Sequence, residues 1–456
     1  MAHPSLTKPT LTEPLKWAIF RALEKLSDLR GNTVMETSNN LPPPSGQRAL
    51  WVFVSTIGEL NAINPFLRTL HERLEPLKLV LITDHEHYRA PYLAQYPDAT
   101  VFVTRGHSHD ARRLARHLPP AMLVMAEIPC LPSDAPCRFS YIFMRTAKQH
   151  QAPICLVNGW LYNYQPPCRM DAIENRLFRR DYVRLFDLAC VQTEAVRQSL
   201  IQAGAPAERL SVTGNIKFDA MQRTAWSPDH ARSAKLLKAL LADKRPTVVA
   251  GCVTDYKEQE QILDAFARLH DKYPEALLVL APRHPEVKEH MVALESFLAA
   301  RGLRGQFRSR IEDAPLGKDV QCLVLDTIGE LKDFYAASSI AYVGRNHNIL
   351  EPLAFGKPVV LSPGWEPTYP SYPVYRAMLE AGGVLQVDNN IALGDTWLSL
   401  IDSPAISAQL SHDVRKAIEK AAGASTRCLD VMNTLLHRMD TSFPKAHPLR
   451  TSGTNI

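Results

Sequence analysis

Short runs rich in Val, Ile and Leu recur along this chain, each set off from the next by a longer, charged stretch with helical spacing. The first set is Ala49–Ser55, Leu77–Thr83, Thr100–Thr104, Ala121–Ala126 and Ile154–Asn158, with Leu188–Gln192 and Leu210–Thr213 as further members. Runs that are apolar on both faces suit parallel strands covered by helices on either side. The pattern restarts at Thr247–Gly251, Ala276–Ala281, Gln321–Leu325, Ile340–Val343, Pro358–Leu361 and Gly383–Val387, after a polar stretch, Asp219–Arg245, without strand character. At 456 residues the chain exceeds one ordinary core. The pattern predicts an α/β protein of two doubly wound Rossmann-like domains facing a central cleft. The predicted bounds are an N-terminal amphipathic helix and linker over 1–46, domains over 47–225 and 226–405, and a C-terminal helical segment and tail over 406–456, with one long helix from Ile406 to Met439.

Charge and cysteine use narrow the function classes. Lys plus Arg number 52 against 47 Asp plus Glu, a net charge of +5. That excess is too small for a nucleic-acid coat, and no nucleic-acid partner is expected. The eight cysteines form no C-x-x-C, and Cys155, Cys190 and Cys322 sit inside apolar runs. Buried free thiols in a reducing, cytoplasmic compartment are expected rather than disulfides or zinc. No secretory signal opens the chain, and no apolar run approaches the roughly 18 residues that span a bilayer. From Pro14, Leu15, Ile19, Leu23, Leu26 and Leu29 form a stripe beside Trp17 and Phe20, with Lys16, Arg21, Lys25 and Arg30 among them. Two readings stay open: a helix in a lipid interface, or one docked on the protein's own core.

Thr56-Ile57-Gly58-Glu59-Leu60 recurs as Thr327-Ile328-Gly329-Glu330-Leu331, each copy after an apolar run. The T-x-x-E pattern is a capping box, and both threonines are expected to cap helices. The glycines invite a ligand close to the backbone at the carboxyl ends of the strands. The most informative stretch runs from Gly344 through His347 and Asn348 to Glu351-Pro352. Pro352 fits a first helical turn, so a helix is expected to start near Asn348 and offer its free amides to a phosphate. Glu351 would then accept the hydroxyls of a ribose, and Gly344 would let a bound group approach. The plainer alternative is that Asn348 and Glu351 only cap.

Here the chain resembles the Kdo transferases, which move 3-deoxy-D-manno-octulosonic acid (Kdo) from CMP-Kdo to lipid A precursors. Their G-G-H-N-P-L-E-P-A signature is matched by His347-Asn348-Ile349-Leu350-Glu351-Pro352-Leu353, and their V-S-V-G-E by Val54-Ser55-Thr56-Ile57-Gly58-Glu59 with one extra residue. Met125-Ala126-Glu127-Ile128-Pro129, Leu156-Val157-Asn158, Val212 through Asp219, Pro282-Arg283-His284-Pro285-Glu286 and Asp326 through Leu331 follow in order. The resemblance implies a GT-B fold and an inverting, metal-independent transfer in lipopolysaccharide assembly, with a CMP-activated sugar as donor and no cofactor. It also implies a lipid A precursor as acceptor and peripheral contact with the inner face of the inner membrane. The chain departs from the family at Asn158-Gly159-Trp160, at Cys252-Val253-Thr254-Asp255, at Arg345-Asn346, and in lacking the family's apolar anchor.

Such a transfer needs a base for the acceptor hydroxyl and positive charge for the leaving phosphate. Glu59 matches the family's base, with helix capping as its alternative. Glu127, at an apolar strand end, needs a partner, either substrate or a buried cation. Lys217 and Arg283 are the candidate phosphate cations, with an ordinary solvated lysine as the alternative for Lys217. The candidate catalytic residues are Glu59, Glu127 and Lys217. The candidate donor-binding residues are Arg283, His284, Thr327, Gly329, Glu330, Gly344, His347, Asn348 and Glu351. No metal is expected, because His85-Glu86-His87 and His107-Ser108-His109 lack further ligands at usable spacing. The rival readings are another GT-B-type nucleotide-sugar enzyme, such as an epimerase, and a catalytically silent relative that binds lipid A intermediates. No oligomeric state is read from the pattern.

Overall fold

A computed structural model of the chain describes residues 15–22, 39–44, 46–105, 108–127, 135–160, 177–178, 180–221, 226–367, 369 and 371–442. It resolves into two compact units, residues 1–220 with 423–456, and residues 221–422.

The first unit holds a seven-stranded sheet of order β3-β2-β1-β4-β5-β6-β7. Its strands are β1 Ala49–Phe53, β2 Lys78–Thr83, β3 Thr100–Val103, β4 Pro120–Ala126, β5 Ile154–Gly159, β6 Leu188–Val191 and β7 Leu210–Val212. All neighbours pair in parallel. Every residue of β1, β4 and β5 is buried, as a sheet covered on both faces requires. Two apolar clusters, one on each face, share these strands by alternation: Trp51 and Phe53 enter one, Leu50 and Val52 the other. The strand order reverses at β1 and β4, so the loops leaving their carboxyl ends flank the topological switch point where open α/β sheets take ligands.

The second unit repeats the plan with the order β10-β11-β9-β8-β12-β13-β14. Its strands are β8 Thr247–Val253, β9 Leu277–Pro282, β10 Gly305–Phe307, β11 Cys322–Val324, β12 Ile340–Val343, β13 Val359–Leu361 and β14 Leu385–Gln386. Its switch point lies between β8 and β12. The sequence pattern missed only β10, a three-residue edge strand with two exposed positions, which carries no apolar run.

Two expectations change, and one of two open readings is met. The single helix from Ile406 to Met439 is two helices, Pro404–Ala421 and Ala424–Ser442, parted at Gly423. Gly423 has φ 87, a left-handed conformation that ends a helix and that glycine adopts freely. The first of these helices groups with the second unit and the other with the first, and the unit boundary falls at 220/221 rather than 225/226. Within the N-terminal helix, residues 15–22, Phe20 is 1% exposed and stacks on Trp17 at 5.3 Å. Trp17, Ile19 and Phe20 pack on the first unit's core, and Lys16 pairs with Asp181 at 2.5 Å. This face fills the protein's own interior; residues 1–14 and 23–38 lie outside the described residues.

Among the described residues no helix is long and apolar enough to cross a membrane. Cys155, Cys190, Cys322 and Cys428 are free and buried, and burial pushes the Cys155 and Cys322 thiols up.

Candidate active site

At the carboxyl end of β1 the chain turns into the helix Ile57–Arg73. Thr56 caps it, its Oγ1 accepting from the Glu59 N–H at 3.3 Å. Glu59 Oε2 in turn accepts from the Ser55 N–H at 2.6 Å, and the residue is 7% exposed. The capping reading is therefore realised, and the same bonds hold the carboxylate at the switch point. Ser55 Oγ donates to Asp84 Oδ1 at 2.5 Å, and His85 Nδ1 lies 3.0 Å from the same oxygen. Burial, then the negative field of Glu59 and Asp84, raises the pKa of Tyr88.

Beyond β4, Glu127 has φ 57, a strained conformation for a residue with a side chain. It is 3% exposed. Its Oε1 accepts from Lys217 Nζ at 2.7 Å and from Asn158 Nδ2 at 2.9 Å. The partner Glu127 needs is thus Lys217, whose side chain is only 18% exposed rather than solvated. Asn158, also left-handed at φ 54, accepts the Ile216 N–H at 2.8 Å through Oδ1. Its carbonyl takes Gln192 Nε2 at 3.0 Å, while Gln192 Oε1 takes Asn215 Nδ2 at 3.1 Å. One buried polar network thus joins the ends of β4, β5, β6 and β7. The sequence reading missed Gln192, and it used Asn158 and Asn215 only as parts of matched segments; a polar residue closing each apolar run was the available signal. Ile128 and Pro129 lie outside the described residues.

In the second unit, Gly344 follows β12. A Cβ there would sit 2.1 Å from the Cys252 carbonyl oxygen, so close packing of the chain itself requires glycine. Arg345 donates from Nη2 to Asp255 Oδ2 at 2.6 Å, and its N–H reaches Glu258 Oε1 at 3.3 Å. His347 Nε2 lies 3.1 Å from Thr254 Oγ1. Arg283 follows β9 and is tied by its N–H to the Val253 carbonyl at 3.0 Å. His284 is exposed and pairs with Glu286 at 3.0 Å. Burial, then Glu351, pushes the Cys252 thiol up to about 12, with Arg283 opposing. Burial also raises Glu351, opposed by Lys332 and a hydrogen bond from Asn348. Arg283, His347, Glu351 and Thr254 therefore gather at the β8/β12 switch point.

The helix expected near Asn348 is Leu350–Ala354, five residues long. Asn348 Oδ1 accepts the Leu350 N–H at 3.1 Å, so the helix starts two residues later than expected. A single turn carries little of the dipole that the sequence reading expected to hold a phosphate. Thr327, Gly329 and Glu330 lie on the loop after β11. Here Thr327 caps nothing: its hydroxyl donates to the Glu330 carboxylate, and the following helix, Leu331–Ala337, has Glu330 at its N-cap. Gly329 at φ 96 interrupts the turn that Thr56 caps in the first copy. Glu330 is 1% exposed. It accepts from Arg308 Nε at 3.2 Å and from Ser233 Oγ. Burial would raise it, but hydrogen bonds from Ser233 and Thr327 and the Arg308 charge hold it below the ordinary carboxylate range. Among the described residues no group of three or more His, Cys, Asp or Glu is placed to hold a metal ion.

Burial, then neighbouring Arg283 and His284, lowers His347 from 6.5 to about 4. The unfolded chain protonates this imidazole more readily than the folded one, so its contribution to stability is full above 6.5 and is lost as pH falls toward 4. His347→Gln is expected to flatten that decline by about 2 kcal/mol, read as the difference between variant and parent in urea unfolding across the window. The raised Glu351 has the opposite slope but is common to both proteins. Parallel stability curves would contradict the assignment.

Residues 32–220 match the family described as 3-deoxy-D-manno-octulosonic-acid transferase (kdotransferase). The chain is 26% identical over 409 residues to the 3-deoxy-D-manno-octulosonic acid transferase of Haemophilus influenzae, covering 87% of this chain and 88% of that one. It is 27% identical over 403 residues to the protein of the same name from Bordetella pertussis, covering 85% and 87%. Among solved structures, a glycosyltransferase from Rickettsia africae aligns over 88% of this chain and 100% of its own, at 11% identity and TM-score 0.56. The UDP-GlcNAc 2-epimerase of Neisseria meningitidis aligns over 86% and 100%, at 16% identity and TM-score 0.54. These two likenesses bear on fold alone and agree with the GT-B-type, two-domain α/β class. Through the ordered motifs from Val54 to Leu353 and over most of its length, the chain is similar to Kdo transferases.

Proposed function

We propose that this protein transfers Kdo, or a related 2-keto sugar acid, from CMP-Kdo to a hydroxyl of a lipid A precursor in lipopolysaccharide biosynthesis. The observation that carries this is the placement of Arg283 just after β9 and of His347 and Glu351 after β12, with His347 Nε2 3.1 Å from Thr254 Oγ1 just after β8, a set suited to a nucleotide's phosphate and ribose. Glu59 takes the acceptor's proton as the acceptor oxygen bonds to the sugar's anomeric carbon. The bond from that carbon to the phosphate oxygen breaks, and its electron pair leaves with cytidylate. Arg283 offsets the charge that develops there, with no metal ion required. Attack opposite the leaving group inverts the configuration. Lys217 and Glu127, held as a pair, form the polar floor at the ends of β4 and β7. The acceptor's lipid nature would bring the protein to the inner face of the inner membrane. The exposed Arg112, Arg113 and Arg116 on the helix Ser108–His117 suit anionic headgroups there.

Thermal unfolding with added nucleotide tests the donor class. CMP at a hundredfold excess over its dissociation constant is expected to stabilise the protein by about 2.7 kcal/mol. Arg283→Ala is expected to abolish that shift, and UDP at equal concentration to give little. Stabilisation by UDP but not CMP would favour the epimerase-like reading. Tight binding of the lipid without CMP release would favour a silent relative.

A further inference from the structure

The loop 213–219 brings Asn215 and Lys217 to the network around Glu127, and both its ends are held by residues some two hundred positions later. Asp219 accepts from the N–H groups of Gly423 and Ser425, both at 2.5 Å, at the start of the helix Ala424–Ser442. A carboxylate at a helix N-terminus also suits the dipole. From the same helix, Arg427 Nε donates to the Thr213 carbonyl at 2.7 Å and Cys428 Sγ donates to Thr213 Oγ1 at 3.1 Å. Two left-handed glycines leave room for the guanidinium. A Cβ at Gly214 (φ 90) would lie 2.9 Å from Arg427 Nη2, and one at Gly423 (φ 87) 2.9 Å from Nη1. Both ends of the loop are thus fastened to one turn of one helix, and Lys217 hangs between the fastenings.

We infer that Arg427 and Asp219 are positioning residues for Lys217: the chain's last described helix acts as a clamp that keeps Lys217 Nζ on Glu127. The clamp acts through the loop backbone. Its loss frees the lysine rather than removing it, and the buried Glu127 then loses its cation without any change at either residue.

The experiment compares Arg427→Ala, Arg427→Lys and Asp219→Asn in the full chain with Arg73→Ala. Arg73 touches the same helix at Asn433, 3.3 Å away, far along it from the loop. Hydrogen exchange of the peptide covering 210–219 is read first. It is expected to speed up by on the order of tenfold in Arg427→Ala and Asp219→Asn, less in Arg427→Lys, and not in Arg73→Ala. Asp219→Asn keeps the side chain's shape and guards against a variant that merely fails to fold. The kinetic arm rests on the transferase reading. There kcat is expected to fall on the order of ten- to a hundredfold while KM for the CMP-sugar stays within about twofold, with Arg427→Lys recovering part of the loss. Unchanged exchange in the loop would overturn the clamp, as would equal effects from Arg73→Ala or losses that follow global melting alone. An absence of turnover in the parent protein would count against the transferase reading and leave the exchange result to decide the clamp.

Discussion

Lys217→Met is expected to destabilise the first unit by about 3–5 kcal/mol, a penalty typical of a buried ion pair broken on one side. The size follows from what remains. Glu127 cannot turn to water, because it is nearly fully buried and its backbone is pinned: its N–H donates to the Val157 carbonyl at 2.9 Å, and its own carbonyl takes the Trp160 N–H at 2.9 Å. The Asn158 amide would then be the partner of the Glu127 carboxylate among the described residues, and one neutral amide does not offset a buried negative charge. Adding Glu127→Gln to Lys217→Met is expected to recover most of the loss, since two amides can satisfy one another without a net charge. Urea unfolding of the three variants checks both statements. A loss below about 1 kcal/mol for Lys217→Met would mean the pair behaves as a surface bridge.

Glu59→Gln is expected to lower kcat by about 10²–10⁴, the usual contribution of a positioned acid or base, with little change in donor KM. The substitution separates the two roles of this side chain. A glutamine oxygen can still accept the Ser55 N–H, so the helix Ile57–Arg73 keeps its N-terminal bond and the fold is preserved. A capping role alone would leave Glu59→Gln silent. Conversely Thr56→Ala removes the cap bond to the Glu59 N–H and is expected to cost about 1 kcal/mol of stability while kcat falls far less. Steady-state kinetics of these two variants assign the carboxylate.

How much of this was legible in the sequence depends on how local each cause is. Strands such as Ala49–Phe53 and Ile340–Val343 announce themselves because burial on both faces leaves an unbroken apolar run. β10 does not, because an exposed edge imposes no such demand. Positions at strand ends were legible for the same reason, which is why Glu59, Glu127, Arg283 and His347 could be picked out. Their partners were not: Glu127 meets Lys217 and Asn158 only because the strand order sets β4 beside β5 and leads β7 into the loop beyond. Conformation misled in one place. Identical T-I-G-E-L segments fold differently because Gly58 sits inside a helix while Gly329 is left-handed, which turns Thr327 from a cap into a donor to Glu330. The break at Gly423 was equally hidden, since a glycine within a helical pattern is tolerated as often as it terminates one.

The most direct measurement is to incubate the purified full-length protein with CMP-Kdo and a lipid A precursor in the presence of a metal chelator, following CMP release and the mass of the lipid together. The transferase reading predicts stoichiometric CMP release matched by a lipid heavier by one or more Kdo residues, both strongly reduced in Glu59→Gln. CMP-Kdo and precursor recovered unchanged under conditions where the protein is folded and binds CMP, or transfer undiminished in Glu59→Gln, would contradict it.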